Sequence, residues 1–192
     1  AEPSPVFVEF GAEIEEVDLG EITTLVPFID ADLGIDSIIW SPTTGLTCID
    51  TMASLLNCSA VSVNPDGTTT YSITVIDSNG CEATDEIIID VNKRRNVYIP
   101  NAFSPDGNGR NDYFEIFLGN GIKAVPSAYV FNRWGETIVE LTDIPVNGGA
   151  IQIWDGFFRG KLMNPGVFVY LIEVTFVDDV TLPFRGDVTV IR

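Results

Sequence analysis

Apolar residues alternate with polar ones in short runs, or gather in short β-branched runs, and nearly every run ends in Gly, Pro, Asn or Asp. A period of two with that punctuation specifies strands, because successive side chains of an extended chain point to opposite faces. In the first half the pattern predicts strands over residues 6–10, 22–29, 37–40, 59–63, 71–76 and 86–91. Turns at Asn64-Pro65-Asp66-Gly67 and Ser78-Asn79-Gly80 separate the later ones. The second half opens with Val97-Tyr98-Ile99-Pro100 and a polar loop over 104–112, followed by strands over 113–118, 128–131, 137–141, 151–154, 167–177 and 181–191. The last two are expected to pair as a hairpin through Asp178-Asp179. No stretch carries a helical period. Roughly seven short strands in the first half and the strands of the second suggest an all-β chain of two immunoglobulin-like antiparallel β-sandwich domains in tandem, with Trp40 and Tyr71 supplying bulk to the first core.

Charge places the boundary between them. Residues 1–92 hold 17 acidic side chains and no Lys or Arg, whereas residues 93–192 hold 11 acidic and 10 basic ones. The break at Lys93-Arg94-Arg95 divides an acidic domain, 1–92, from a near-neutral one, 93–192. A net charge of −18 disfavours nucleic acid and anionic lipid, both of which recruit Lys and Arg. No run is long and apolar enough to span a membrane as a helix, so direct membrane insertion is not expected. The start, Ala1-Glu2-Pro3-Ser4, has no signal-peptide pattern, which leaves export signalled elsewhere or a chain that is a piece of a larger one.

The chain has no histidine, which removes Ser-His-Asp triads, Cys-His dyads and His-ligated zinc. Catalysis would rest on a facing carboxylate pair in a cleft, and scattered acids at strand ends do not specify one, so no enzyme is expected. Trp134 and Trp154 could stack on a sugar or fill a core or an interface. Cys48 and Cys58 bracket a nine-residue loop and are the favoured pair in an exported chain. Closing so short a loop stabilises by about 2–3 kcal/mol. Cys81 is then expected to be a lone, buried thiol.

The most chemically specific stretch runs from Asp106 to Asp112. Asp106, Asn108, Arg110 and Asp112 stand at relative positions 1, 3, 5 and 7, with Arg110 offering only its carbonyl. Alternate oxygens on a glycine-rich loop suit a structural calcium ion, which takes six to eight oxygens at about 2.3–2.6 Å. Position 12 is Phe117 rather than a bidentate Glu, so further ligands would come from elsewhere, with Asp155 a candidate. The other reading is a loop whose Asp, Asn and Gly residues simply permit tight turns.

Motifs lie in order along the second half: residues 98–109, Asn111-Asp112, Val130-Phe131-Asn132-Arg133-Trp134-Gly135, Trp154-Asp155-Gly156, residues 165–170 and residues 184–192. This half resembles the gliding motility-associated C-terminal domain, the type B sorting domain of type IX secretion substrates. In that family the loop usually reads Asn-Gly-Asp-Gly, whereas Asp106 and Asn108 are exchanged here. The first half resembles the PKD-like or immunoglobulin-like modules that precede this domain in large surface adhesins, through Trp40-Ser41-Pro42, Gly45-Leu46-Thr47-Cys48, Thr70-Tyr71 and Asp77-Ser78-Asn79-Gly80-Cys81.

The resemblance implies export to the cell surface or medium, with the C-terminal domain read by the type IX translocon. It also implies a partner outer-membrane protein of the PorP/SprF family that secretes or anchors the cargo, a gliding or adhesion protein. Partner contact is expected on the second domain, at Arg133 and Trp134 and along the terminal strand through Phe184, Arg185, Val188, Val190 and Arg192. An Arg-Trp turn has the composition of an interface anchor, and a terminal strand can extend an exposed sheet edge. The competing expectation makes Trp134 and the last strand core. An extracellular module that binds carbohydrate or protein is the alternative function.

Overall fold

The computed structural model describes residues 6–49 and 55–191. The chain divides into two compact units, Ala1–Arg94 and Arg95–Arg192. Among the described residues the regular structure is strands and one short 3₁₀ turn, Leu55–Asn57.

The N-terminal unit contains β1 (Phe7–Glu9), β2 (Ile14–Asp18), β3 (Thr23–Leu25), β4 (Phe28–Asp30), β5 (Ile35–Ser41), β6 (Leu46–Cys48), β7 (Val61–Val63), β8 (Thr69–Asp77) and β9 (Glu82–Asn92). They form a four-stranded sheet in the order β2-β9-β8-β5, a three-stranded sheet β3-β7-β6 and the pair β1-β4. The apolar run 22–29 is two strands rather than one: β3 pairs with β7 while β4 pairs with β1. The switch falls at Val26-Pro27, where proline has no N–H to give to a ladder. Strand β2 runs parallel to β9, from Ile14 opposite Ile88 to Asp18 opposite Asn92, so this sheet is not purely antiparallel. Its sequence, Ile-Glu-Glu-Val-Asp, buries only Val17 and carries too few apolar positions to show an alternation.

Trp40 and Tyr71 are both buried in this unit, alongside Leu25, Val61, Ile73 and Ile89. The Trp40 indole N–H donates to the Cys58 carbonyl at 2.8 Å, which satisfies its one polar atom. Cys48 and Cys58 form a disulfide with their Cα atoms 5.8 Å apart. Cys81 is an exposed free cysteine, not a buried one. It stands at the end of the tight turn between β8 and β9, where the Asp77 carboxylate accepts its N–H at 2.9 Å, and that turn leaves no neighbour to cover the side chain.

The C-terminal unit contains β10 (Val97–Tyr98), β11 (Ala102–Phe103), β12 (Phe114–Leu118), β13 (Ile122–Phe131), β14 (Thr137–Ile144), β15 (Ala150–Trp154), β16 (Phe157–Phe158), β17 (Lys161–Leu162), β18 (Gly166–Phe176) and β19 (Thr181–Val190). A five-stranded sheet, β11-β19-β18-β13-β14, faces the three-stranded sheet β10-β12-β15, and β16 and β17 make a small hairpin. Aromatic rings join the two sheets. Trp154 on β15 meets Phe168 of β18 at 4.7 Å and Phe103 of β11 at 5.4 Å, and Phe114 of β12 meets Tyr170 of β18 at 5.4 Å. Alternation along β18 places Phe168, Tyr170, Ile172, Val174 and Phe176 inward. Burial raises the Tyr170 phenol above its ordinary pKa, with the Asp187 carboxylate adding to the shift.

The hairpin of β18 and β19 turns at Asp178-Asp179, with Thr175 opposite Thr181. Arg95 holds this turn, donating two hydrogen bonds of 3.0 and 2.8 Å to the Asp178 carboxylate while its guanidinium lies 4.4 Å over the Phe176 ring. Those hydrogen bonds raise the Arg95 pKa further, outweighing the opposing effect of burial. Arg95 therefore belongs to the second unit rather than to the connection between the two. Asn92 closes β9 in the first unit and accepts the Leu19 N–H at 3.0 Å.

Candidate recognition surface

The turn joining β13 to β14 is built by Asn132. Its side-chain oxygen accepts the N–H groups of Trp134 and Glu136, both at 3.0 Å, and its backbone carbonyl accepts that of Gly135 at 2.9 Å. Gly135 has φ of +81°, a left-handed conformation that favours a residue without Cβ. With its backbone satisfied inside the turn, the Trp134 side chain projects outward and is 76% exposed. The Arg133 guanidinium lies 4.2 Å over the indole ring, a cation–π contact that holds both side chains on the surface. Trp134 is thus not core. Trp154, by contrast, is 4% exposed and sits between the sheets.

The terminal strand behaves differently from an exposed edge over its last residues. Val188 and Val190 are fully buried. Phe103 stands opposite Val190 in a parallel pairing of β11 with β19, and the Thr189 and Ile191 N–H groups donate to Asn101 and Phe103. The end of β19 is therefore interior to the sheet, and the expectation that Val188 and Val190 touch a partner is corrected: they pack the core. Phe184 is half-buried and Arg185 exposed, in the part of β19 that pairs with β18 only. Arg192 lies outside the described residues.

The loop with Asp106, Asn108, Arg110 and Asp112 is closed by its own backbone. Asp112 accepts the N–H groups of Gly107 at 2.6 Å and Gly109 at 2.7 Å, one on each carboxylate oxygen. Asp106 accepts the backbone and side-chain N–H groups of Asn108 at 3.0 and 2.8 Å. Asn108 accepts the Arg110 N–H at 2.8 Å. Every side-chain oxygen of Asp106, Asn108 and Asp112 thus already has an N–H donor from the loop itself. Asp112 and Asp155 line one cavity of about 200 Å³, but an Asp155 oxygen is likewise taken, by the Phe157 N–H at 2.9 Å. An oxygen that accepts one N–H keeps a further acceptor site, so these bonds fix the shape of the loop without using up its oxygens. Among the described residues no three acidic or cysteine side chains form a metal-holding group.

The tertiary structure also assembles a groove that the strand pattern does not show. It has a volume of about 380 Å³ and runs beside Arg133 and Trp134, between them and the segment from Lys161 to Val167. The hairpin of β16 and β17 supplies Lys161, through a two-residue turn in which Arg159 and Gly160 both have positive φ. Asn-Gly or Asp-Gly would have signalled this turn, and Arg-Gly does not. A second cleft of about 530 Å³ lies along β14 and β15, with Glu140, Gln152 and Phe157 in its lining. No helix of the described residues is long and apolar enough to cross a membrane.

Comparison with known proteins bears on the second unit most directly. Residues 97–190 match the family model of the CHU_C type IX secretion signal domain. No curated protein matches the chain. Among solved structures, the fibronectin(III)-like modules of CbhA from Clostridium thermocellum are similar at 12% identity and a TM-score of 0.32, covering 96% of this chain and 94% of that one. Dimeric latent PorU from Porphyromonas gingivalis is similar at 14% identity and a TM-score of 0.32, covering 99% of this chain and 20% of that one. The Bacteroides ovatus protein SGBP-B, solved with a mixed-linkage heptasaccharide, is similar at 12% identity and a TM-score of 0.36, covering 98% of this chain and 48% of that one. This chain spans only a fifth of the PorU chain and about half of SGBP-B. The superpositions are loose, and the sandwich assignment rests on the strand pairings themselves. The C-terminal unit is a type IX secretion signal domain, and it marks the chain for export across the outer membrane to the cell surface or medium.

Proposed function

We propose that the chain is the C-terminal end of a long type IX-secreted surface protein, of the gliding or adhesion kind. Its second unit serves as a type B sorting and anchoring domain, and its first unit as a PKD-like or immunoglobulin-like spacer. On this reading neither unit performs chemistry. The sorting unit is read by the type IX translocon and by an outer-membrane partner of the PorP/SprF family, and the turn carrying Arg133 and Trp134 is the first place the partner touches.

The observation that carries the contact is the 76% exposure of Trp134 beneath the Arg133 guanidinium. An indole left in water costs the free protein apolar hydration, and that cost is recovered when a partner covers it. The near-neutral second unit also approaches other surfaces more readily than an acidic unit with 17 carboxylates and no Lys or Arg up to Asn92.

The test fuses an exported fluorescent reporter to the 192-residue chain, and separately to residues 93–192, in a type IX-secreting cell with and without a PorP/SprF-family protein. Surface or medium fluorescence that depends on that protein is the expected result. Reporter held in the periplasm in every case would refute the sorting role.

A further inference from the structure

The groove beside the Arg133–Trp134 turn combines three features that together define what it can hold. First, part of its lining is apolar, with Leu162, Met163, Pro165 and Val167 beside Trp134. Val167, on the outward phase near the start of β18, is 56% exposed. Second, it carries two exposed cations. Neither Arg133 nor Lys161 pairs with a described acidic residue, whereas Arg95, Lys123 and Arg159 pair with Asp178, Asp179 and Glu136. The nearest acid on the turn, Glu136, is taken by Arg159 at 3.3 Å and by the Asn132 amide at 3.0 Å, so it does not cancel them. Third, β17 pairs with β16 on one side only, and its other edge carries no strand among the described residues.

A slot with apolar side chains, two cations without ion pairs and the short β17 edge in its lining matches an extended peptide with alternating apolar and acidic side chains. The apolar side chains would enter between Trp134 and Val167, the carboxylates would meet Arg133 and Lys161, and the backbone would have the β17 edge beside it. We infer that this groove is the docking site for an acidic extended segment of the protein that receives the secretion signal, with Arg133 and Lys161 supplying the complementary charge on a unit whose other charges nearly balance. The inference rests on the sorting function proposed above and specifies the chemistry of its partner.

The test uses the intact 192-residue chain and a blocked hexapeptide of alternating valine and aspartate as probe. Binding is followed by the emission of Trp134, the one exposed indole of three. Saturable binding that weakens with salt is expected, together with a loss of about tenfold or more in affinity for Arg133→Glu/Lys161→Glu. Arg133→Gln/Lys161→Gln should lose less, and circular dichroism should show both variants folded, since both side chains are exposed. Undiminished binding by the charge-reversed chain would overturn the inference. So would equal or tighter binding of an oligogalacturonate of the same charge, which would make the groove a site for anionic glycan.

Export of the reporter fusion separates this inference from the reading beneath it. If the parent chain is exported and the charge-reversed chain is exported equally, the groove is not the docking site and the sorting role stands. If the parent chain is not exported, the sorting role fails whatever the peptide does.

Discussion

Gly156, in the turn after Trp154, is where two loops of the secretion signal domain meet. Its φ is +81°, and a Cβ added there would lie 2.7 Å from Pro105 Cγ and 2.9 Å from Pro105 Cβ. Alanine at this position therefore incurs two costs. Left-handed backbone costs a residue with a Cβ ~1–2 kcal/mol. The overlap falls on a proline ring, which cannot rotate away, and forced overpacking of this kind costs ~1–3 kcal/mol more. Gly109 separates the two effects, because its φ of +82° is the same while a Cβ added there would meet nothing within 4 Å. Gly109→Ala should thus lose the backbone amount alone. For a unit of this size each kcal/mol corresponds to about 4–8 °C in the unfolding midpoint, so Gly156→Ala should unfold distinctly earlier than Gly109→Ala. Fluorotryptophan labelling with fluorine NMR in a urea series isolates the second unit, since the buried Trp154 signal reports on it and the Trp40 signal on the first. Equal losses for the two variants would refute the claim that the Pro105 contact fixes one loop against the other.

Four further outcomes follow from the same structure. Trp134→Ala should change the stability of the second unit by no more than about 0.5 kcal/mol, as for other exposed sites, yet lower reporter export; a large fall in the melting transition would return Trp134 to a packing role. Reducing the disulfide between Cys48 and Cys58 should cost the first unit ~2–3 kcal/mol and leave the Trp154 transition where it was. Burial raises the Tyr170 phenol above its ordinary value of 10.0. The folded state then holds that proton more tightly than the unfolded state, so stability is fully present below pH 10 and declines as pH rises through the folded pKa. Tyr170→Phe should flatten that alkaline decline in urea titrations of the second unit. Finally, a structural calcium ion on the loop of Asp106, Asn108 and Asp112 predicts that a chelator lowers the second unit's midpoint and that Asp106→Ala abolishes the effect; an unchanged midpoint would leave the loop held by its own hydrogen bonds.

Strand periodicity determined the all-β class by itself. Strands such as β8, β9, β18 and β19 are nine residues or longer, so each shows several alternations, and a period of two over that length has one explanation. Trp40 and Tyr71 were legible as core for the same reason, since each falls on the apolar phase of its strand. The charge break lies at Lys93-Arg94-Arg95, and the two compact units meet between Arg94 and Arg95. Short elements were not legible. β2 is acidic and buries one residue, and β11 has two residues, fewer than one full alternation.

The candidate surface depended on just those elements. Two-residue β11, arriving in parallel from nearly ninety positions away, makes the end of β19 interior and sends Val188 and Val190 to the core. Trp134 and Trp154 each stand beside a glycine turn, yet one is open to water and the other lies between two sheets. Local pattern states that a strand has a buried face. It does not state what covers that face, because the covering groups come from distant segments whose pairing is settled by the packing of the whole unit. The same holds for the groove, where a turn at 132–135 meets a hairpin at 157–162: the alternation of each segment is local, while the unpaired charges of Arg133 and Lys161 face one slot only because the sandwich folds around Trp154 and Phe168.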